Sequence, residues 1–450
     1  MTTSTAWLAA AIRSGALRPS RPTPAGPSTS AAPAPRHATR LRVFRKELTP
    51  TERRKRRGGI VAVSTITMPR KGQRKERAPI GDLSDARGFA ALLVGVGPDL
   101  RYLTGFVGEP MERITLLVIP REGPVSFVVP RLEAQKALST PLVRGGSAEV
   151  ISFEETDDAA LLVADLVAPR SLASGAAAWE PIGLSDRLWA MHVLQLQAVL
   201  PGRRFEPASV VMRDLRQVKD ADEARFLGLA AAAADRTVDA IAAGPLVGRT
   251  EADVSREVRR RLVDEGHDLA DFAIVGSGPN SASSHHDAGE RLIGPGEPIV
   301  LDIGGTLGGY LSDTTRTIWG AGEAGLAPEP EFVRVYELVR AAQAQATAAV
   351  RPGVPAEQID AVARAVISAG GYGEFFTHRV GHGIGLEVHE DPYMVAGNAT
   401  PLAPGMAFSV EPGVYLPGRW GVRLENIVMC ASNGAAVLNR SALELRIVRG

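Results

Sequence analysis

From about Ile80 onward, apolar residues come in short runs cut by proline and glycine: ALLVGVG, ITLLVIP and VSFVVP. Runs of this length, rich in Val and Ile and bounded by turn formers, predict strands. The mixed stretches between and after them, Arg131 to Leu138 and Asp157 to Leu166, predict helices. Residues 81–206 therefore read as a small α/β domain, and PGRRFEPAS reads as its exit, with a linker over 207–212. Beyond it the pattern lengthens. VKDADEARFLGLAAAAADRTVDAIAA opens a long amphipathic helix, with acidic residues in the first turns where the helix dipole favours them. A second helix is predicted over 250–265, capped by Thr250 with Asp253 three residues on, and two more over 330–349 and 356–369. Strands are predicted over 272–276, 297–304, 311–319, 406–415 and 422–430, with no convincing internal repeat.

Two of these apolar segments carry acids where charge is unwelcome. PIVLDIGGTLGGYLSDTTRTIW holds Asp302 and Asp313, and MAFSVEPGVYLPGRWGVRLENIVM holds Glu411 and Glu425. Each reads as a β-hairpin about a Gly-containing turn. The midpoint of the first pair falls between Leu307 and Gly308, that of the second on Gly418, so each acid is expected opposite its partner. Opposed like charges destabilise a hairpin, and burying anions costs several kcal/mol more. Cations lying between the carboxylates would remove both penalties. Neutralisation by Arg316, Arg419 or Arg423 on a solvated face is the alternative, and the apolar flanks argue against it.

Composition adds bounds. An apolar fraction of 45% and a charged fraction of 22% are ordinary for a globular chain, and 450 residues suffice for two or three domains. No apolar run approaches the roughly 18 residues of a membrane span. The one cysteine, Cys430, excludes an intrachain disulfide and a multi-Cys zinc site, and fits a reducing cytosol as a buried thiol. The net charge of +1 conceals an asymmetry: residues 1–80 hold 18 Lys/Arg and 3 Asp/Glu, leaving 33 of 51 basic and 47 of 50 acidic residues for the rest. The basic stretch, with Arg53–Arg57 inside Pro/Ala/Ser-rich sequence, reads as a disordered extension or as sequence upstream of a true start near Met68. The acidic body argues against nucleic acid as a partner.

An oxygen-rich set with one imidazole suits hard or borderline divalent ions, Mn²⁺ foremost, with Co²⁺ or Zn²⁺ as alternatives. Four carboxylates exceed the need of one catalytic ion; two ions about 3.5–4 Å apart, sharing a water made acidic enough to attack, use them all. Five of the eight histidines lie between 285 and 389. His382 and His389 share the Gly-rich HRVGHGIGLEVHEDP, and His285 and His286 follow SGPNSASS, a loop able to bring one imidazole over the metals. GHGIG lacks the Lys-Ser/Thr of a phosphate loop. His378 and His267 read as structural.

SGPNSASSHH, VLDIGG, SDTTRT, HRVGHGIGLEVHEDP, SVEPGVY and GVRLEN, in this order and spacing, resemble the M24 metallopeptidase family, and within it prolidase and aminopeptidase P. The resemblance covers about 80–450. It implies an α/β (α+β) chain with a creatinase-like N-terminal α/β domain over 81–206 and a pita-bread catalytic domain over 213–450. It further implies Asp302 on a first ion, Asp313 and Glu425 bridging two, and His382 and Glu411 on the second, with Glu411 also moving the proton. His285 and His389 would hold the scissile carbonyl and the prolyl end. Arg423, on the strand face of Glu425, would bind Asp313 or a substrate carboxylate, and Thr315 would orient a ligand. Two positions depart from the family: Ser284 where a proline often precedes the histidine, and Asn426 where an acid often follows the last glutamate.

The expected activity is that of a cytoplasmic, homodimeric Xaa-Pro dipeptidase, cutting the amide before proline in short peptides by a metal-bridging hydroxide. Its partner is a small peptide with proline second, with neither nucleic acid nor membrane. An aminopeptidase P acting on longer peptides, or a non-peptidase hydrolase or lyase on the same fold, is the alternative.

Overall fold

The computed structural model describes Leu83, residues 88–168 and residues 180–449; the expectation for residues 1–80 lies outside them. Six strands form the first sheet: β1 (Ala91–Gly95), β2 (Leu116–Pro120), β3 (Ser126–Pro130), β4 (Glu149–Phe153), β5 (Ile182–Leu184) and β6 (Phe205–Pro207). Their order is β4-β3-β2-β1-β5-β6, antiparallel within β1–β3 and parallel at the edges. Consecutive β1 residues enter different cores: Leu92 and Val94 pack on one face, Ala91 and Leu93 on the other. A sheet covered on both faces explains why these runs are continuously apolar. The segment read as exit and linker, 201–212, carries β6 and the first half of a helix, Ser209–Arg216, because Ala208 and Val211 bury in the core of the sheet domain.

The remaining strands are β7 (Leu269–Ser277), β8 (Glu297–Leu307), β9 (Tyr310–Leu311), β10 (Thr314–Gly320), β11 (Gly381–Gly383), β12 (Glu390–Met394), β13 (Ala407–Val410), β14 (Gly413–Leu416), β15 (Trp420–Arg423), β16 (Asn426–Ala431), β17 (Gly434–Val437) and β18 (Arg446–Val448). They make one sheet of order β18-β10-β8-β7, with β9 on β8, a second of order β12-β11-β13-β16-β17, and the ribbon β14–β15. Helices Ala221–Ala242 and Glu251–Asp264 share a core with the first of these sheets, and Pro330–Ala349 and Ala356–Ala369 share one with the second. All four fall where the periodicity predicts. Asp220 and Glu223 close a capping box on the first, and the Thr250 hydroxyl accepts from Asp253 N–H on the second. Among the described residues no helix is long and apolar enough to cross a membrane.

Both predicted hairpins form, with one shift of register. β8 pairs Asp302 with Thr315, not with Asp313. The turn sits on Gly308 and Gly309, both at positive φ (61° and 96°), as a two-residue hairpin turn requires. The slip is even, so Asp302 and Asp313 keep the same face. In the second hairpin, Val410 pairs with Asn426 and Gly413 with Arg423, which places Glu411 across from Glu425 as expected. Yet the ladder breaks there: Glu411 N–H donates to Val380 O and Glu425 N–H to Thr315 O. The continuous strands predicted over 406–415 and 422–430 are each two strands: Glu411 stays on the segment leading into β11, and Glu425 crosses to β10 of the other sheet.

Candidate metal centre

Alternation along β8 sends Leu301 and Ile303 into the helix-side core and leaves Asp302 between them facing a cavity of about 490 Å³. Asp302, Asp313, His285, His382, His389, Glu411, Arg423 and Glu425 all line it. Every position singled out in the sequence as a site residue thus converges on one cavity, and the acids are 8% exposed or less at Asp302, Asp313 and Glu425.

One atom each of Asp313, His382 and Glu425 lie within 4.8 Å of one another. His382 Nε2 stands 3.1 Å from Glu411 Oε1 and 3.6 Å from Asp313 Oδ2. Its Nδ1 lies 3.1 Å from Gly383 O, which fixes Nδ1–H as the donor and turns the Nε2 lone pair toward carboxylate oxygens. That arrangement is repulsive unless a proton or a metal ion sits between. The Glu411 carboxylate also accepts from Ser409 Oγ, whose oxygen in turn accepts from His382 N–H.

The electrostatics favour a cation. Burial and the neighbouring acids push the Asp313 carboxyl well above the usual carboxylate range, and Glu425 up to about 8. Burial also raises Asp302, against the pull of Arg423. Burial pushes Glu411 up too, but the His382 imidazole outweighs it and holds the group at about 2. Asp302 Oδ1 and Glu425 Oε1 are buried without a hydrogen-bond partner among the described residues. Orphaned buried oxygens in a set of four acids and an imidazole are the donor set a pair of divalent ions takes.

Arg423 binds Asp302 Oδ2, not Asp313. Its Nε donates to Thr315 Oγ1 at 3.1 Å, and that hydroxyl donates to Glu425 Oε2 at 2.7 Å. Through Thr315, therefore, one guanidinium orients acids from both hairpins. Its Nη1 donates to Ser284 O and to the Tyr415 hydroxyl. Ser284 thus serves the loop through its carbonyl. Arg316 neutralises none of the four acids; it is buried on the carbonyls of Glu425, Ser441 and Ala442 and on Asn426 Oδ1. Arg419 pairs with Glu331 at the surface.

The histidines divide by contact. His382 and His389 stand ring to ring, centroids 4.1 Å apart at 68°. Burial, with His382 and Arg379 nearby, lowers His389 to about 4, so it is neutral at physiological pH. His286 turns away to Glu251 Oε2 at 2.8 Å. His267 is structural, bonded to Leu262 O and Ser312 Oγ. His378 lines the cavity and bonds Arg379 O through Nδ1, so its Nε2 accepts from the Tyr415 hydroxyl at 2.8 Å.

Four residues escape the sequence reading. Glu251 is fully buried and holds Ser277, Asn280 and His286, bracing the loop that presents His285. Asp360 and Arg364, on the Ala356–Ala369 helix, bind Val380 N–H and the carbonyls of Phe376 and His378, fixing the approach to β11. Tyr415 had a usable signal, because alternation from Glu411 through Gly413 puts it on the site face.

Sequence profiles and solved structures identify the family. The profile of metallopeptidase family M24 matches residues 226–432, and that of the creatinase/prolidase N-terminal domain matches residues 79–218. The protein named probable dipeptidase PepE of Mycobacterium tuberculosis is 43% identical over 364 residues, 80% of this chain and 92% of the relative. The crystal structure of dipeptidase PepE from Mycobacterium ulcerans aligns with a TM-score of 0.76 at 42% identity, over 83% of this chain and 96% of that one. Prolidase from Thermococcus sibiricus aligns at 0.75 and 32% identity, over 84% and 100%.

Proposed function

The chain belongs to metallopeptidase family M24, and from that premise we propose that it is a Xaa-Pro dipeptidase working with two divalent metal ions. The observation that carries the reading is the convergence of Asp302, Asp313, His382, Glu411 and Glu425 on one cavity that His285 and His389 also line. Asp302 would hold one ion, Asp313 and Glu425 both, and His382 and Glu411 the other; Mn²⁺ suits the oxygen-rich set. When bound, the ions supply the positive charge that acidifies water and polarises a carbonyl.

The chain's own residues do the rest. Glu411, held low in pKa by His382 and within reach of Ser409, accepts a proton on the attacking side and delivers it to the leaving amine. His389, neutral at physiological pH, donates a hydrogen bond to the carbonyl oxygen as negative charge grows on it, and His285 donates from the same cavity. Arg423 and Thr315 hold Asp302 and Glu425 at fixed angles. Proline's amide has no N–H, so a site of this kind must hold its substrate by the carbonyl and the ring. Phe272, Ile274, Val388 and Val395 give the cavity an apolar wall suited to the ring. A homodimer and a cytosolic location complete the reading, the latter supported by the single buried cysteine.

Chelator-stripped protein reloaded with Mn²⁺, Co²⁺ or Zn²⁺ and offered Ala-Pro, Gly-Pro, Ala-Ala and Ala-Pro-Ala decides the matter. Fast cleavage of the Xaa-Pro dipeptides alone is expected. Equal cleavage of the tripeptide makes the chain an aminopeptidase P. Bound metal with no peptide cleaved transfers it to the non-peptidase hydrolases or lyases.

A further inference from the structure

Behind the hairpin that carries His389 lies a buried ion cluster that the proposed peptidase chemistry leaves unused. Arg216 ends the Ser209–Arg216 helix; its Nη1 donates to Asp99 Oδ1 at 2.7 Å, and its Nη2 lies 2.8 Å from Glu387 Oε2 and also donates to Glu390 Oε2. Lys219 Nζ donates to Glu390 Oε1 and to Arg216 O at 2.8 Å. The Arg216, Lys219 and Glu390 side chains are 9%, 1% and 7% exposed.

Asp99 belongs to a helix of the first domain, Pro98–Thr104, whereas Glu387, in the turn after β11, and Glu390, which opens β12, flank His389. One guanidinium therefore ties the N-terminal layer to both sides of the segment presenting a cavity-lining imidazole. A second cavity of about 250 Å³ is lined by Asp99, Arg216, Glu387 and His389, so His389 stands between the two spaces. Glu390, the first residue of β12, is held in the ion cluster, and His389, the residue before it, reaches the cavity of the acids. Burial pushes the Glu390 carboxyl up, yet Lys219 and Arg216 outweigh it and keep the group ionised.

We propose that Arg216 is a positioning residue for His389, setting where that imidazole stands by gripping Glu387 and Glu390 against Asp99. The proposal rests on the reading of His389 as a substrate-facing group. It assigns the N-terminal domain a part in catalysis without any contact to substrate. Lysine at 216 keeps the charge but loses the planar fork that reaches three carboxylates.

Arg216→Lys and Asp99→Asn are made in the full chain, alone and combined with His389→Ala. Each single change is expected to lower kcat/KM for Ala-Pro about ten-fold with bound Mn²⁺ unchanged, and to cost nothing further once His389 is alanine. In chelator-stripped protein, deuterium exchange rises over 384–391 while β1–β3 stay protected. Additive losses with His389→Ala, loss of metal, or unchanged exchange over 384–391 overturns the proposal. Asp99→Asn leaves Arg216 and both hairpin partners in place, so it decides the matter if Arg216→Lys does not fold. A wild type that cleaves no Xaa-Pro peptide refutes the function, while the exchange experiment still judges Arg216.

Discussion

Glu411 and Glu425 face each other across the gap between two ladders that share one register, Val410–Asn426 on one side and Gly413–Arg423 on the other. Such a pair opposes folding until a cation joins it. Burial and the nearby acids raise Glu425 from 4.5 to about 8, so in metal-free protein the fold prefers its protonated form. The stability this group allows is fully present below pH 4.5 and declines as pH rises toward 8. Glu425→Gln, which cannot ionise, should therefore be more stable than wild type in chelator, by a margin that grows from pH 5 to 8. With Mn²⁺ the order reverses, because wild type gains binding energy and the variant does not. Melting curves with EDTA and with MnCl₂ test both halves; a wild type indifferent to metal sinks the prediction.

Thr315 passes the orientation of Arg423 to Glu425 through one hydroxyl, which accepts at 3.1 Å and donates at 2.7 Å. Thr315→Val keeps the shape and strands both partners. Loss of an outer hydrogen bond of this kind costs about 10–100-fold in metal affinity or activity. Thr315→Ser should retain most of both. Metal titration monitored by calorimetry separates the variants, and equal affinity in valine and serine forms counts against the role.

Much of this centre was legible because its acids interrupt apolar alternation, a signal contained within a few residues. The second hairpin's register followed from Gly418 at its turn, and an extra glycine misled the first: Gly308 and Gly309 both take positive φ, moving the turn by one residue and the register by two. An even slip preserves faces, so Asp302 and Asp313 still line one cavity. What the chain did not disclose depends on long separations. Arg216 meets Asp99 and Glu390 across 117 and 174 positions, and no local pattern marks such pairs. The Ser209–Arg216 helix was hidden for a related reason, since the Gly and Pro of PGRRFEPAS outweigh in a local reading what burial of Val211 and Met212 decides.

His267 braces Ser312, the residue before Asp313, by accepting from its hydroxyl at 2.9 Å. Burial lowers this imidazole below its ordinary 6.5, so the fold favours the neutral form. Its contribution is complete above pH 6.5 and is lost as pH falls toward the lowered folded value. The His267 contribution in chelator should fall between pH 7 and 5 with a slope of at most about 1.4 kcal/mol per pH unit, opposite in sign to that of Glu425 over the same window. His267→Gln should remove it, so the variant gains stability relative to wild type as pH falls from 7 to 5. Urea midpoints at a series of pH values check it, and an unchanged slope in the variant removes His267 as the cause.

Glu251 anchors the loop that carries His285, accepting from Ser277 N–H and Oγ at 2.7 Å each and from Asn280 Nδ2, with His286 Nε2 at 2.8 Å. Burial pushes its pKa up, but those hydrogen bonds together outweigh it and lower the group, so it is a carboxylate in the fold. Glu251→Ala leaves several donors without an acceptor in a buried place, at a cost of about 2–4 kcal/mol. Glu251→Gln keeps the volume and one acceptor, so it should cost less and still fold. Because His285 lies one residue from His286 and lines the cavity, the glutamine variant should lower kcat while metal content stays at the wild-type level. Deuterium exchange over 277–286 should rise in step with that loss. A variant that loses kcat with no change in exchange there would mean Glu251 acts other than by holding the loop.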